Sequence, residues 1–347
     1  MPKAEEEEIF PFTAIVGHTV MKRALLLNVI NPEIGSILIT GPRGIGKSTA
    51  VRGLKDLLQT IKVVEKCRVI CSPDRPESYC SWCQARMQRN EIYVTEDMPR
   101  LVELPKNARI GDIVGGIEGR KVYIARHDYR KPDPEFDDIT LHIDGRNFFV
   151  PGIAADVNRG ILFVDDLNDV REEVVEVILR LLLQKKNIIT QGGIQIVHPT
   201  EFVLIATTDS EEFSINPRLI NAMSINLRVE ECTDLEEVAE IMSRVREFEA
   251  NPKKFMRKYA SHQAALKTRI LKAKQLLPRV RMPDYLYDVI ARISMDFDLS
   301  ERRSALIESV AKTLCAYDNR QRVITDDIAH AAELVIPRED LSRYFLT

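Results

Sequence analysis

Two rhythms of apolar residues divide this chain. Up to about residue 207, short unbroken apolar runs alternate with stretches spaced for one face of a helix. Ser36-Ile-Leu-Ile-Thr40, Gly160-Ile-Leu-Phe-Val-Asp-Asp166 and Glu201-Phe-Val-Leu-Ile-Ala-Thr207 read as strands buried on both faces, as in a parallel sheet. Met21, Ala24, Leu25, Leu27 and Asn28 mark a helix before the first strand. Thr49 to Leu58 marks one after it, and Val174 to Leu183 a strongly apolar third. Lys62-Val-Val-Glu65 reads as a short strand. Asn187-Ile-Ile-Thr190 and Ile194-Gln-Ile-Val197, joined through Gln191-Gly-Gly193, carry a hairpin signal. After about residue 234 the strand signals stop. A long charged helix over 252–277 is followed by helices near 284–296, 302–317 and 325–335. The pattern predicts an α/β core, a parallel sheet with helices on both faces, followed by an all-α C-terminal domain; the boundary falls around 230–250.

Two segments break the alternation. Residues 66–90 hold four cysteines and little periodicity. Between 101 and 150, the stretches Val122-Tyr-Ile-Ala125 and Ile139-Thr-Leu-His-Ile143 flank a charged, Pro-containing loop at 127–137, which predicts a β-hairpin extension. Residues 1–10 read as a disordered acidic lead.

Composition narrows the class. With 347 residues and 45% hydrophobic content, the chain can build about two to three domains with a substantial core. The net charge of −3 provides no global basic field, so nucleic acid is not an expected partner. No apolar run approaches ~18 residues, and the start of the chain is acidic where a signal peptide would be basic. A cytoplasmic protein without a membrane partner is therefore expected, its six cysteines being thiols or metal ligands.

The strongest chemical signal is Gly41-Pro-Arg-Gly-Ile-Gly-Lys-Ser48, a phosphate-binding loop between a strand and a helix. Gly41, Pro42, Arg43, Gly44, Ile45 and Gly46 form the turn whose N–H groups face phosphates, and Thr49 opens the following helix. Lys47 reaches the β- and γ-phosphates of ATP, and the Ser48 hydroxyl ligates Mg²⁺. The run Ile161-Leu-Phe-Val-Asp-Asp166 supplies the acidic half: Asp165 holds Mg²⁺ through water, and Asp166 is the candidate general base. Most enzymes of this architecture have Glu at the second position. Asp166 is one methylene shorter, and a catalytic group misplaced by ~1 Å can cost on the order of a hundredfold, so slow hydrolysis is expected.

Cys67, Cys71, Cys80 and Cys83 follow C-x3-C-x8-C-x2-C. Four soft ligands at this spacing suit tetrahedral Zn²⁺, or an iron–sulfur cluster; free thiols and a redox dithiol are the competing readings. Cys232 and Cys315 stand alone and read as core residues. No histidine pair has i, i+4 spacing; His198 reads as a structural hydrogen-bonder, His127 and His142 as solvated.

Several segments together resemble the AAA+ subunit of magnesium chelatase, the I subunit, over nearly the whole chain. They are Phe10-Pro-Phe-Thr-Ala-Ile-Val-Gly17, Ala24-Leu-Leu-Leu-Asn-Val-Ile30, the phosphate loop, Val102-Glu-Leu-Pro105, Pro151-Gly152, Asn158-Arg-Gly-Ile-Leu162, Ile194 to Val203, Glu247-Phe-Glu-Ala-Asn-Pro252 and Gln275-Leu-Leu-Pro278. Some I-like sequences also resemble the Cys-containing insert. The resemblance implies a ring-forming ATPase, typically hexameric, working with a D-type subunit that bears an integrin-like domain and with a large porphyrin-binding subunit, to drive Mg²⁺ into a tetrapyrrole. It divides the chain into the acidic lead 1–10, an AAA+ domain over 11–235 with a Cys-rich insert (66–90) and a long helix-2 hairpin insert (113–157), and a helical sensor 2 domain over 236–347.

The departures from the family pattern matter as much. Where the family has a sensor 1 Asn, this chain has Asp209, which when ionised only accepts hydrogen bonds and repels phosphate. The arginine-finger position is Ala222, and such a finger contributes roughly 10³–10⁵ in rate. Arg218, four residues earlier, is the candidate substitute. In Leu299-Ser-Glu-Arg-Arg303, Arg302 takes the sensor 2 position on the γ-phosphate. Three functional readings follow: a chelatase motor with slow ATPase activity; a non-hydrolysing structural or regulatory ring subunit, homo- or hetero-oligomeric; or a MoxR-like chaperone ATPase acting on an integrin-like-domain partner.

Overall fold

The three apolar runs become neighbouring strands of one five-stranded sheet in the computed structural model, which describes residues 8–119, 147–209 and 217–336. They are β1 (Ile37–Thr40), β7 (Ile161–Val164) and β10 (Val203–Thr208), buried at every position. With β4 (Leu101–Glu103) and β11 (Ile225–Arg228) the order is β11-β1-β10-β7-β4. β1 runs parallel to β10 and to β11, with Ile37 opposite Ile205 and Ile225, and β4 runs parallel to β7. Strands covered on both faces need no polar side, hence the unbroken runs.

The chain forms two compact units. The first comprises Met1–Gln59, Val164–Asn168 and Val203–Thr347. It carries α1 (Thr19–Ile30), α2 (Lys47–Arg52), α7 (Pro217–Ala222) and the C-terminal helices α8 (Leu235–Ala250), α9 (Pro252–Leu276), α10 (Asp284–Asp296), α11 (Glu301–Tyr317) and α12 (Thr325–Val335). The Asp234 carboxylate caps α8 by accepting from the Glu236 and Glu237 N–H groups. Asn251-Pro252 then divides what would be one long helix: the Asn251 side chain accepts from the Lys254 N–H at 2.9 Å, and Pro252 occupies the first turn, where its missing N–H costs nothing. The opening Phe-Pro-Phe-Thr motif is fastened to these helices. The Phe10 ring lies 5.1 Å from those of both Phe248 and Phe255, the Thr13 N–H donates to Gln263 at 3.1 Å, and Arg244 donates to the Ala14 carbonyl at 2.8 Å.

The second unit comprises Thr60–Phe163 and Asp169–Phe202. β2 (Ile61–Val64) pairs antiparallel with β3 (Val94–Asp97), and α3 (Ser81–Gln88) lies between them in sequence. α4 (Ile110–Val114) leads into β5 (Gly116–Gly119), which pairs antiparallel with β6 (Asn147–Val150) ahead of α5 (Ile153–Asp156). α6 (Glu172–Gln184) precedes the hairpin of β8 (Lys186–Gln191) and β9 (Ile194–Pro199). Its turn residues, Gly192 and Gly193, have φ of 58° and 79°, the two positive values of a tight hairpin turn. Ile117, Phe149, Ile189 and Ile196 form a small core shared by the β5–β6 and β8–β9 pairs.

Some expectations are revised. The helix expected over 49–58 ends at Arg52 and is followed by a short 3₁₀ turn at Lys55–Leu57; at Gly53 a Cβ would come within 3.3 Å of the Phe10 carbonyl and of Phe12, so the chain narrows there. β3 is exposed at all four positions and carries no apolar signal. Ile225-Asn-Leu-Arg228 is too short and too polar to announce β11. Cys315 is fully buried, but Cys232 is not a core residue: it is partly exposed, and its thiol donates to Glu237 at 3.0 Å. The acidic residues 1–7, the stretches 122–125 and 139–143, His127 and His142 lie outside the described residues; the strands β5 and β6 are the described flanks of that insert. No helix among the described residues is long and apolar enough to cross a membrane.

Candidate nucleotide site

The loop Gly41–Ser48 leaves β1 and enters α2. Gly44 and Gly46 have φ of 82° and 89°, and at both the space a Cβ would take is open to 4 Å. That open cradle of backbone fits phosphate oxygens. Lys47 is buried, and its ammonium donates to the Gly41 and Pro42 carbonyls at 2.5 and 2.7 Å. Burial lowers its pKa, against the opposing pull of Asp209, Asp166 and Asp165. The loop is therefore built around a partly desolvated cation.

Ser48 and Asp165 are brought together as the sequence requires of a Mg²⁺ pair. The Ser48 hydroxyl donates to Asp165 Oδ1 at 2.6 Å, Thr207 donates to the same oxygen at 2.9 Å, and Arg52 donates to Oδ2 at 2.9 Å. Burial pushes the Asp165 carboxyl up, but the Ser48 and Thr207 hydroxyls and the Arg52 guanidinium bring it below its ordinary value, so it is ionised. An anionic carboxylate beside a serine hydroxyl is the hard-oxygen donor set Mg²⁺ takes.

Asp166 and Asp209 meet on a residue of the loop itself. Arg43 Nη2 donates to Asp166 Oδ2 at 2.9 Å, and Arg43 Nε donates to Asp209 Oδ2. Asp166 sits at φ 57°, in the left-handed region, with its N–H donating to Thr207 Oγ1 at 3.0 Å. Its other carboxylate oxygen is buried and has no hydrogen-bond partner among the described residues. The Asn168 amide donates to Thr208 Oγ1 at 2.8 Å and to Asp209 Oδ1 at 3.3 Å. Desolvation raises the Asp209 carboxyl, and the hydrogen bond and charge of Arg43, with Asn168, bring it below the ordinary carboxylate value. Asp209 is thus an anion, but one whose charge is answered by Arg43.

The remaining expected residues lie on α7 and α11. Arg302, expected at the γ-phosphate, donates to the Ala222 carbonyl at 3.3 Å. Ala222, at the finger position, is 6% exposed and turned into the core with Leu219 and Met223, whereas Arg218 is exposed. Helix α7 is only six residues long, and its buried side carries position 222 while position 218 faces solvent. Four contributors were not anticipated: Arg52, Thr207, Asn168 and His18. Arg52 had a signal, since it lies four residues after Ser48 on one helix face. His18, left-handed at φ 47°, has its pKa lowered by burial and by Lys22, against a hydrogen bond to the Ile45 backbone.

The second grouping is the cysteine cluster. The sulfurs of Cys67, Cys71, Cys80 and Cys83 all lie within 4.8 Å of one another, the last three buried and the first partly so. The Cys80 N–H donates to Cys71 Sγ at 3.3 Å, and the Cys83 N–H to Cys80 Sγ at 3.4 Å. Hydrogen bonds from Cys71, Cys80 and Cys83 hold the Cys67 thiol well below its usual value, and those to Cys67 push Cys71 and Cys83 up.

Comparison with known proteins bears on the family and the fold. The family model described as magnesium chelatase, subunit ChlI, matches residues 99–215, and that of the AAA lid domain matches residues 288–338. The magnesium-chelatase subunit ChlI homolog of Methanocaldococcus jannaschii is 34% identical over 330 residues, covering 95% of this chain and 85% of that protein. The magnesium-chelatase subunit ChlI of Synechocystis sp. is 33% identical over 338 residues, covering 96% and 89%. A crystal structure of a Cytophaga hutchinsonii protein shares the fold with a TM-score of 0.56 at 15% identity, covering 93% of this chain and 83% of that one. With its phosphate loop, AAA+ sheet and helical lid, and this extent of identity, the chain belongs to the ChlI family of magnesium-chelatase AAA+ subunits.

Proposed function

We propose that this chain binds ATP through Gly41–Thr49, with Lys47 and Arg302 on the phosphates, and hydrolyses it slowly as the ring subunit of a complex that inserts a metal ion into a tetrapyrrole. Ser48 and Asp165 would hold Mg²⁺, which neutralises phosphate charge when bound. Asp166 is the base for water, Asp209 the altered sensor 1, and Arg218 the exposed cation nearest in sequence to the finger position. The partners this reading requires are other AAA+ subunits in a homo- or hetero-oligomeric ring, a D-type subunit with an integrin-like domain and a large porphyrin-binding subunit, in the cytoplasm. A structural Zn²⁺ on Cys67, Cys71, Cys80 and Cys83 completes it.

The observation that carries the slow-hydrolysis part is the Arg43 bridge. A base must offer an oxygen to water, yet Asp166 Oδ2 is held by Arg43 and its other oxygen is buried. At the same time Arg43 offsets the two carboxylates that would repel a γ-phosphate. The arrangement supports binding more than turnover. The buried Ala222 favours a form in which a neighbouring active paralogue supplies the finger. Sedimentation velocity tests the ring. ATP with Mg²⁺ is expected to convert the purified chain into a ring-sized species, and Lys47→Ala to stay small at the same concentration. Measurable ATP binding with no change in sedimentation would contradict the ring reading.

A further inference from the structure

Resting on the proposal that the four thiols hold Zn²⁺, we infer that this centre is a clasp: one tetrahedral Zn²⁺ on Cys67, Cys71, Cys80 and Cys83 fastens the β8–β9 hairpin and the lead-in to β10 to the Cys-rich loop. The geometry suits one ion. A tetrahedron of Zn–S bonds about 2.3 Å long has edges near ~3.8 Å; Cys67 and Cys80 Sγ stand 3.9 Å apart, and no pair exceeds 4.8 Å. That separation is far beyond a disulfide bond of about 2.05 Å. It is also too tight for an iron–sulfur cluster, whose iron and sulfide atoms must fit between the thiolates. The two N–H···S bonds are donors aimed at sulfurs, and they become charge-assisted once the sulfurs are thiolates.

The loop needs such an ion. Apart from the cysteines, its core consists of Val64, Val69, Tyr79 and Ala155, with Trp82 and Ile92 packed at the edge. Lys66 and Ile70 are nevertheless held at φ of 58° and 55°. For β-branched Ile70 this is a strained conformation, one that persists only where the surroundings over-determine it. Ligation at Cys67 and Cys71 brackets Ile70 and fixes the residue that follows Lys66.

Each half of the ligand set is tied to a different element. From the first half, the Val69 carbonyl accepts from the Asn158 amide at 2.6 Å, and Asn158 Oδ1 accepts from the Glu201 N–H at 2.9 Å, two residues before β10 begins. From the second half, Cys80 caps α3, whose first residue is Ser81. The Ser81 hydroxyl donates to the Val197 carbonyl at 3.2 Å and accepts from the Val197 N–H at 3.3 Å, gripping β9 by both backbone groups. The ion joins the two halves, so without it α3 loses the anchor that positions β9.

The test uses the full chain purified without oxygen. Elemental analysis is expected to give one zinc per chain, and Co²⁺ replacement the visible bands of a tetrahedral tetrathiolate. Cys80→Ser/Cys83→Ser should lose the metal and raise amide exchange across 194–199 by about tenfold or more. Ser81→Ala should keep the zinc yet speed exchange of the same amides, and a chelator pulse on the unaltered chain should reproduce the exchange change should the double variant fail to fold. Absence of metal, or iron in place of zinc, overturns the Zn²⁺ reading. Zinc present with exchange at 194–199 unmoved by the chelator and by Ser81→Ala overturns the clasp alone. Neither readout depends on nucleotide.

Discussion

Lys47→Ala is expected to weaken ATP binding about a hundredfold and to leave the fold intact. The ammonium is held inside the loop by the Gly41 and Pro42 carbonyls, so it is already where phosphate oxygens arrive. On binding it exchanges neutral acceptors for anionic ones. Two charge-assisted bonds at roughly 1.5–3 kcal/mol each, less the carbonyl bonds given up, leave about 3 kcal/mol, or roughly 10²-fold in Kd. Burial already disfavours the charged amine, so removing it should move Tm by no more than about 3 °C. Titration calorimetry with ATP and Mg²⁺ measures the ratio. A loss below about threefold would mean that Lys47 does not bear on the phosphates.

Phe255→Ala is the largest stability change expected, about 4 kcal/mol. Phe255 is fully buried, with the rings of Phe10, Phe248 and Tyr259 at 5.1, 5.7 and 4.8 Å. Truncation loses the transfer energy of the ring, opens a cavity and removes three aromatic pairs. It also releases the Phe10-Pro-Phe-Thr segment from the C-terminal helices. Urea unfolding followed by a probe in the first unit should show the earlier midpoint. A cost under about 1 kcal/mol would mean that the aromatic cluster does not fasten that segment.

What was legible in the sequence follows a physical division. Gly41–Ser48 and Asp165 could be read because phosphate and Mg²⁺ chemistry demands particular residue types at adjacent positions. β1, β7 and β10 could be read because strands buried on both faces leave unbroken apolar runs. The four cysteines were legible as a set, and they do converge. Pairings across long stretches of chain were not legible. Arg43 was read only as a backbone position of the phosphate-loop turn, and its side-chain partners lie 123 and 166 residues away. That one side chain changes the meaning of Asp209: an unanswered anion beside phosphate in the sequence is half of an ion pair in the structure. Position 222 was a vacant finger by family resemblance, but burial of Ala222 depends on how α7 seats Leu219 and Met223, which local sequence does not specify. Thr207 was hidden as the polar end of an apolar strand, although it donates to Asp165 and accepts from the Asp166 N–H. β3 left no trace because an exposed strand has no apolar side to betray it.

The site is expected to bind ATP well and to turn it over poorly. The most direct test is the steady-state ATPase rate of the purified chain at saturating ATP and Mg²⁺, with Kd measured on the same preparation. With Asp166 bridged to Arg43 and no finger at Ala222, kcat is expected at least about a hundredfold below the ~10 s⁻¹ typical of enzymes, alongside micromolar or tighter binding. Brisk turnover that survives Arg218→Ala would contradict the account.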